Sequence, residues 1–346
     1  MTTPQLPNIT ILGDGQMGLF CAGLLGLSAR VGRVTLWGHE VRPIESLAQT
    51  RFSPRLPDVR LADRVVVTTH GGEALMGADL VISAVPTQFS RSVWEQLRGC
   101  VPEARRCAVV SVAKGLENGT LLRPTQIISE VLRDDPDGLP RGYCVLSGPT
   151  IAPELARCLP ATMIAASDDT AIAERVQTLF STNWLRVYTS NDPLGVEIAG
   201  ATKNVIAIAA GILDGLHAGY NAKSALLARG LAEITRLGTA MGAKQETFFG
   251  LAGMGDLATT CFSPEGRNRT LGEALGKGEK LEHFLARTES VVEGVTTVTA
   301  VMELARKYRV EMPIAEAVHS VLYGGVDPLE AIQKLMSREL KAERVG

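Results

Sequence analysis

Nowhere in these 346 residues do two cysteines or two histidines stand at metal-ligand spacing. Cys21, Cys100, Cys107, Cys144, Cys158 and Cys261 are scattered without a C-x-x-C pair, and His39, His70, His217, His283 and His319 are equally dispersed. A metal site is therefore not expected. Most of the cysteines adjoin apolar residues, which suits reduced, buried thiols in a reducing compartment. The chain shows no basic-then-apolar leader at its start and no apolar run as long as a bilayer span, so a cytoplasmic location without membrane insertion is expected. An excess of either charge is also missing. Thirty-five Lys and Arg against 37 Asp and Glu leave a formal net charge of −2, with no bulk attraction for nucleic acid or anionic membrane. Any anionic ligand has to be met by a local cluster of cations.

What is present is ordinary globular composition, 45% apolar and 21% charged, in a chain longer than one core usually organises, so two domains are expected. The first half alternates short β-branched runs with helical stretches, the pattern of a parallel sheet covered by helices. Strands are predicted at Asn8–Leu12, Arg33–Trp37, Arg64–Thr68, Leu80–Val85, Cys107–Val112, Tyr143–Leu146, Thr162–Ala166 and Leu185–Tyr188. From Pro193 to Leu340 the apolar positions recur at helical spacing instead. The expected fold is α/β, a Rossmann-type doubly wound sheet over residues 1–190 followed by an all-helical domain over 191–346. The charged end, Lys334 to Arg344, is predicted as a solvated helix.

The first strand runs directly into Gly13-Asp14-Gly15-Gln16-Met17-Gly18 and then an apolar helix through Leu27, the setting a dinucleotide-binding turn requires. Gly13 permits the tight turn, Gly15 lets a pyrophosphate approach the backbone, and Gly18 allows close packing of helix on strand. Free N–H groups at the helix start would receive the phosphates. The second strand leads into Gly38-His39-Glu40. Glu40 at that edge can accept from the ribose hydroxyls of NAD and would repel the extra phosphate of NADP, so NAD is favoured, with Arg42 near enough to serve that phosphate instead.

A single lysine, Lys203, followed by Asn204, interrupts a segment from Asn191 to Leu213 that reads as one buried helix. Asn191 or Asp192 can cap it and Pro193 fits its first turn. A cation in such surroundings either finds a carboxylate, with Glu197 or Glu233 as the nearest candidates, or loses its proton and becomes a general base. Four more clusters combine glycine with polar or charged residues: Ser111 to Glu117 with Lys114, Ser147-Gly148-Pro149-Thr150 opening the segment Ile151 to Ala156, Gly250 to Leu257 with Asp256 followed by Thr260, and Gly266-Arg267-Asn268-Arg269. Taken singly, Lys114 reads as a surface residue, Asp256 as a helix cap, and Arg267 with Arg269 as a solvated face. Together with Lys203 and a nucleotide turn they read as a site.

Nearly end to end, the chain resembles the NAD(P)-dependent glycerol-3-phosphate dehydrogenases. The resemblance is carried by the glycine turn, Ala84-Val85-Pro86-Thr87-Gln88, Lys114-Gly115-Leu116-Glu117, Ser147-Gly148-Pro149, Gly195-Val196-Glu197 through Lys203-Asn204, Asn221-Ala222-Lys223 to Arg229-Gly230, Gly253 to Leu257, Arg267-Asn268, Glu293-Gly294-Val295 and Met312-Pro313-Ile314. It implies Lys203 as proton acceptor, Lys114 contacting cofactor and substrate, and Asp256 assisting Lys203. It further implies Arg267 and Asn268 at the substrate phosphate, with Asn204, Gly148, Thr150 and Thr260 also on the substrate. Gln16, Met17, His39, Glu40, Ala152, Arg267, Val291 and Glu293 would join the glycines on the cofactor. A homodimer acting on a phosphorylated triose or glycerol, in service of phospholipid synthesis, is the expected setting. Met17 stands where the family often has an aromatic residue, and Gly266 where it often has serine. Two rival readings remain: a two-domain dehydrogenase of 3-hydroxy acids, and a non-catalytic sensor of cofactor redox state.

Overall fold

A computed structural model describes residues 6–103, 107–133, 141–288, 291–340 and 342. The chain divides into two compact units, Met1–Ala113 with Pro124–Pro193, and Lys114–Arg123 with Leu194–Gly346. The short segment Lys114–Arg123 thus belongs with the second unit, an excursion that a linear division at residue 190 does not contain.

In the first unit, eight strands form one sheet in the order β3-β2-β1-β4-β5-β6-β7-β8. They are β1 Ile9–Leu12, β2 Val34–Trp37, β3 Val65–Thr68, β4 Leu80–Ser83, β5 Ala108–Ser111, β6 Tyr143–Ser147, β7 Ala161–Ala166 and β8 Leu185–Ser190. All eight lie where the sequence places them, with ends shifted by a residue or two. Pairing is parallel throughout except between β6 and β7. Strands β1, β2, β4 and β5 are buried at every position, which is why they read as unbroken apolar runs: helices cover both faces of a parallel sheet. Those helices are α1 Gln16–Leu27, α2 Val41–Thr50, α3 Gly71–Leu75, α4 Thr87–Leu97, α5 Pro124–Leu132, α6 Ala152–Ala156 and α7 Thr170–Phe180. The strand order reverses between β1 and β4, and ligands of such sheets bind beyond the carboxyl ends of the strands at that reversal. The glycine turn occupies this place.

The second unit is helical: α8 Pro193–Gly215, α9 Gly219–Ala240, α10 Gln245–Phe249, α11 Asp256–Phe262, α12 Arg267–Gly276, α13 Leu281–Ala286, α14 Glu293–Tyr308, α15 Pro313–Tyr323 and α16 Pro328–Met336. Its apolar core is built around α8, whose Val205, Ile206, Ala207 and Ile208 are all but inaccessible. By length and composition α8 is apolar enough to cross a membrane, which the sequence reading did not expect. Within the structure 94% of its most apolar window is buried, as in a core helix. At the other end, α16 stops at Met336 rather than running on to Arg344. Lys341, Glu343 and Arg344, part of the predicted terminal helix, lie outside the described residues.

Candidate active site

Lys203 sits in the middle of α8 and is 5% exposed. Its ammonium donates to Oδ1 of Asp256 at 2.6 Å and to the Thr260 hydroxyl. The second carboxylate oxygen, Oδ2, accepts from Lys114 Nζ at 2.7 Å. One buried carboxylate therefore holds two ammonium groups, and the three side chains together carry one net positive charge. Local structure explains the aim of each. Leu251–Gly255 forms a single wide π turn that runs straight into α11, and such turns redirect the residues that follow them. Asp256, first in α11, faces inward as a result and is 1% exposed. Thr260 follows four residues later on the same helix face. Its hydroxyl donates to the Asp256 carbonyl at 2.7 Å, leaving a lone pair for Lys203.

Burial pushes the Lys203 ammonium down to about 8, with Asp256 opposing the fall and Lys114 adding to it. Burial also works to raise the Asp256 carboxyl, but Lys114 and Lys203 outweigh it and hold the group below the ordinary carboxylate range. The expected carboxylate partner thus exists, but it is neither Glu197 nor Glu233. Glu197 is taken by Arg123. Glu233 accepts the backbone N–H groups of Ile314 at 2.8 Å and Ala315 at 3.3 Å at the start of α15. Both carboxylates are near Lys203 in sequence or in helix count, and neither is the one that meets it.

Asn204 and Asn268 brace this centre. Asn204 Nδ2 donates to the Lys114 carbonyl at 3.0 Å, fixing the segment that brings Lys114 in. Asn268 Oδ1 accepts from Gly294 N at 2.9 Å. A Cβ on Gly294 would lie 2.6 Å from that oxygen and 2.8 Å from the Asn204 carbonyl, so no larger residue fits there. Arg267 opens α12 with its side chain exposed, beside the buried Asn268. Arg269 is not on a solvated face as the sequence suggests; it is largely covered and pairs with Asp214 at 2.7 Å. Val291 is partly buried and Glu293 begins α14. Lys114 is 16% exposed at its side chain, which rules out a free surface lysine.

The remaining predicted residues belong to the first unit. Gly13 has φ +108°, a left-handed value suited to glycine, and a Cβ there would lie 2.8 Å from the Ala84 carbonyl. A Cβ on Gly18 would fall 1.8 Å from the Gly13 carbonyl, whereas one on Gly15 would meet nothing within 4 Å. Gly15 precedes α1 without any side-chain cap, so the first N–H groups of that helix are offered to an anion. This backbone suits the diphosphate of a dinucleotide. Gln16 and Met17 begin α1 partly buried, and His39 and Glu40 follow β2 well exposed. Gly148 takes φ +128°, Thr150 Oγ1 donates to its carbonyl at 3.1 Å, and Ala152 is buried at the start of α6. The sequence reading passed over Arg55, which pairs with both Asp14 and Glu40. The signal for it was the acidic Asp14 inside a phosphate-binding turn, a charge that needs a cation.

The model for the NAD-dependent glycerol-3-phosphate dehydrogenase N-terminus matches residues 8–173, and the model for the C-terminus of the same family matches 192–333. The chain is 46% identical over 339 residues to a glycerol-3-phosphate dehydrogenase [NAD(P)+] of Geobacter sulfurreducens, covering 97% of this chain and 98% of the relative. It is 43% identical to one of Syntrophotalea carbinolica over 337 residues, 97% and 99% of the two chains. The crystal structure of glycerol-3-phosphate dehydrogenase from Coxiella burnetii superposes with a TM-score of 0.89 at 32% identity, over 96% of this chain and 99% of that one. With relatives of this identity along its whole length, the chain belongs to the NAD(P)-dependent glycerol-3-phosphate dehydrogenase family of oxidoreductases.

Proposed function

We propose that Lys203 is the general acid and base for interconversion of sn-glycerol 3-phosphate and dihydroxyacetone phosphate. The observation that carries this reading is the buried Lys203–Asp256–Lys114 arrangement, in which a lysine is held near its own neutralisation point. A general base works best when its pKa lies close to the working pH. Neutral Lys203 takes the C2 hydroxyl proton, electron density rises at C2, and the C–H bond is weakened toward loss of hydride. In reverse, protonated Lys203 polarises the C2 carbonyl and returns the proton. The nicotinamide, when bound, supplies the hydride acceptor or donor.

Asp256 orients Lys203 and keeps Lys114 beside it, and Lys114 contributes a fixed positive charge to substrate and cofactor. Arg267 meets the phosphate with a forked donor, for which lysine is a poor substitute. Asn268 spends its carbonyl oxygen on Gly294 and has amide hydrogens left for a phosphate oxygen. Gly148, Thr150, Asn204 and Thr260 complete the substrate contacts. Gly13, Gly15, Gln16, Met17, Gly18, His39, Glu40, Lys114, Ala152, Arg267, Val291 and Glu293 serve the cofactor, with NAD preferred because of Glu40. We place the enzyme in the cytoplasm as a homodimer making the glycerol phosphate backbone of phospholipids. The buried thiols of Cys21, Cys107, Cys144 and Cys261 support the reducing compartment.

The test is loss of nicotinamide absorbance when purified protein meets dihydroxyacetone phosphate with NADH or NADPH, against unphosphorylated dihydroxyacetone. Phosphate-dependent oxidation that disappears in Lys203→Ala, while cofactor binding persists, is the expected result. Retained turnover in that variant would remove Lys203 from the role.

A further inference from the structure

Asp14 places a negative charge inside the glycine turn that is meant to receive phosphates, between Gly13 and Gly15. It is 7% exposed, and a carboxylate there repels a diphosphate unless something neutralises it. Arg55 does so. Its Nη1 pairs with Asp14 Oδ2, and its Nη2 donates to Glu40 Oε1 at 3.2 Å. The Arg55 carbonyl in turn accepts Gln16 Nε2 at 3.1 Å. One residue of the connection after α2 thus grips the turn that follows β1 and the carboxylate that follows β2. These two places adjoin: a Cβ on Gly38 would lie 3.1 Å from Asp14 Cγ. The Arg55 side chain is 39% exposed and that of Glu40 47%, so a ligand can reach both.

In folds of this kind the ribose 2′ position is read beside the residues that follow the second strand, which here means Glu40. A carboxylate accepts from the 2′-hydroxyl of NAD and repels the 2′-phosphate of NADP. The geometry points to Arg55 as the residue that sets this discrimination. Paired with Glu40, it holds the carboxylate ready for the hydroxyl. Released from Glu40, one side of its guanidinium takes the 2′-phosphate while Asp14 keeps the other. The Glu40–Arg55 pair is half open to water and therefore inexpensive to exchange. This inference rests on the dinucleotide reading of the glycine turn.

Calorimetric titration of the full chain with ADP-ribose and with 2′-phospho-ADP-ribose reads the discrimination without turnover. Arg55→Gln should raise the ratio of Kd for the phosphorylated over the plain compound by at least about tenfold, and Arg55→Lys, which keeps charge but not the fork, by roughly threefold. Glu40→Gln, which leaves Arg55 in place and unencumbered, should lower the same ratio by about threefold or more. If the Arg55 variants weaken both compounds in step, or Glu40→Gln leaves the ratio where it was, Arg55 only fastens its loop and the inference falls. Binding of neither compound by the unsubstituted protein would overturn the dinucleotide reading itself, and this inference with it.

Discussion

Lys203 is held at a cost. Lowering its pKa from 10.5 to about 8 amounts to a penalty on the order of 3 kcal/mol for the charged form in the folded state. The unfolded chain binds the proton more tightly, so the penalty is present below about pH 8 and fades as pH rises from there toward 10.5. On the proposed role of Lys203 as acid and base, the same titration should set the catalytic pH profile. Alcohol oxidation needs the neutral amine, so kcat/KM should rise with pH through about 8. Ketone reduction needs the ammonium and should fall over the same range. Asp256→Asn removes the charge that supports the ammonium and should move both midpoints down, while Lys114→Gln removes a like charge and should move them up. Profiles that shift the same way in the two variants would refute this coupling. Lys203→Met should lower turnover at least about a thousandfold, the usual scale of acid–base catalysis, with a Tm from calorimetry that does not fall by more than a few degrees. Arg267→Lys should raise KM for dihydroxyacetone phosphate and narrow its advantage over unphosphorylated dihydroxyacetone, because a point charge replaces a fork; an unchanged ratio would place the phosphate elsewhere.

Helices α8 and α12 meet backbone to backbone along a seam of glycines spaced four apart, Gly211 and Gly215 on one, Gly272 and Gly276 on the other. A Cβ on Gly211 would lie 1.9 Å from the Arg269 carbonyl, and one on Gly272 2.0 Å from the Ile208 carbonyl. Neither neighbour can yield, since both are main chain within helices. Gly272→Ala should therefore cost about 2 kcal/mol or more in urea unfolding. Because α12 begins with Arg267 and Asn268, the proposed phosphate contacts, the same variant should also raise KM for the phosphorylated substrate. Gly99→Ala, where an added Cβ meets nothing within 4 Å, is the control and should change stability by less than about 0.5 kcal/mol. At this scale much was legible in the amino acids. The eight strands declared themselves because short apolar runs, most of them rich in β-branched residues, have few other uses when set between helical stretches, and α8 because it is apolar on every side. Contacts between distant segments were not. Asp256 lies 53 residues from the lysine it holds, and only the family resemblance, not any local pattern, joined the two; Arg55 sits in a connection without a motif, and nothing local in Gly272 reports the carbonyl that forbids it a side chain.

The chain passes from one compact unit to the other after Ala113, after Arg123 and after Pro193. Two side chains make the middle excursion matter to the helical unit. Lys114 supplies one of the two cations on Asp256, and Arg123 is the partner of Glu197, whose side chain is 1% exposed. A fragment beginning at Leu194 lacks both. Removing one member of a buried pair costs roughly 3–5 kcal/mol, so that fragment should show no cooperative melt by circular dichroism, whereas a version carrying residues 114–123 through a flexible linker should regain one. Equal melts would show that the excursion is dispensable to folding. The same feature speaks to heredity. In a hybrid joined to a relative at residue 193 alone, the helical half would meet Asp256 with a lysine from the other parent. Lys114–Arg123 and Leu194 onward are genetically separate yet answer to each other, so recombination that respects the enzyme has to exchange them together.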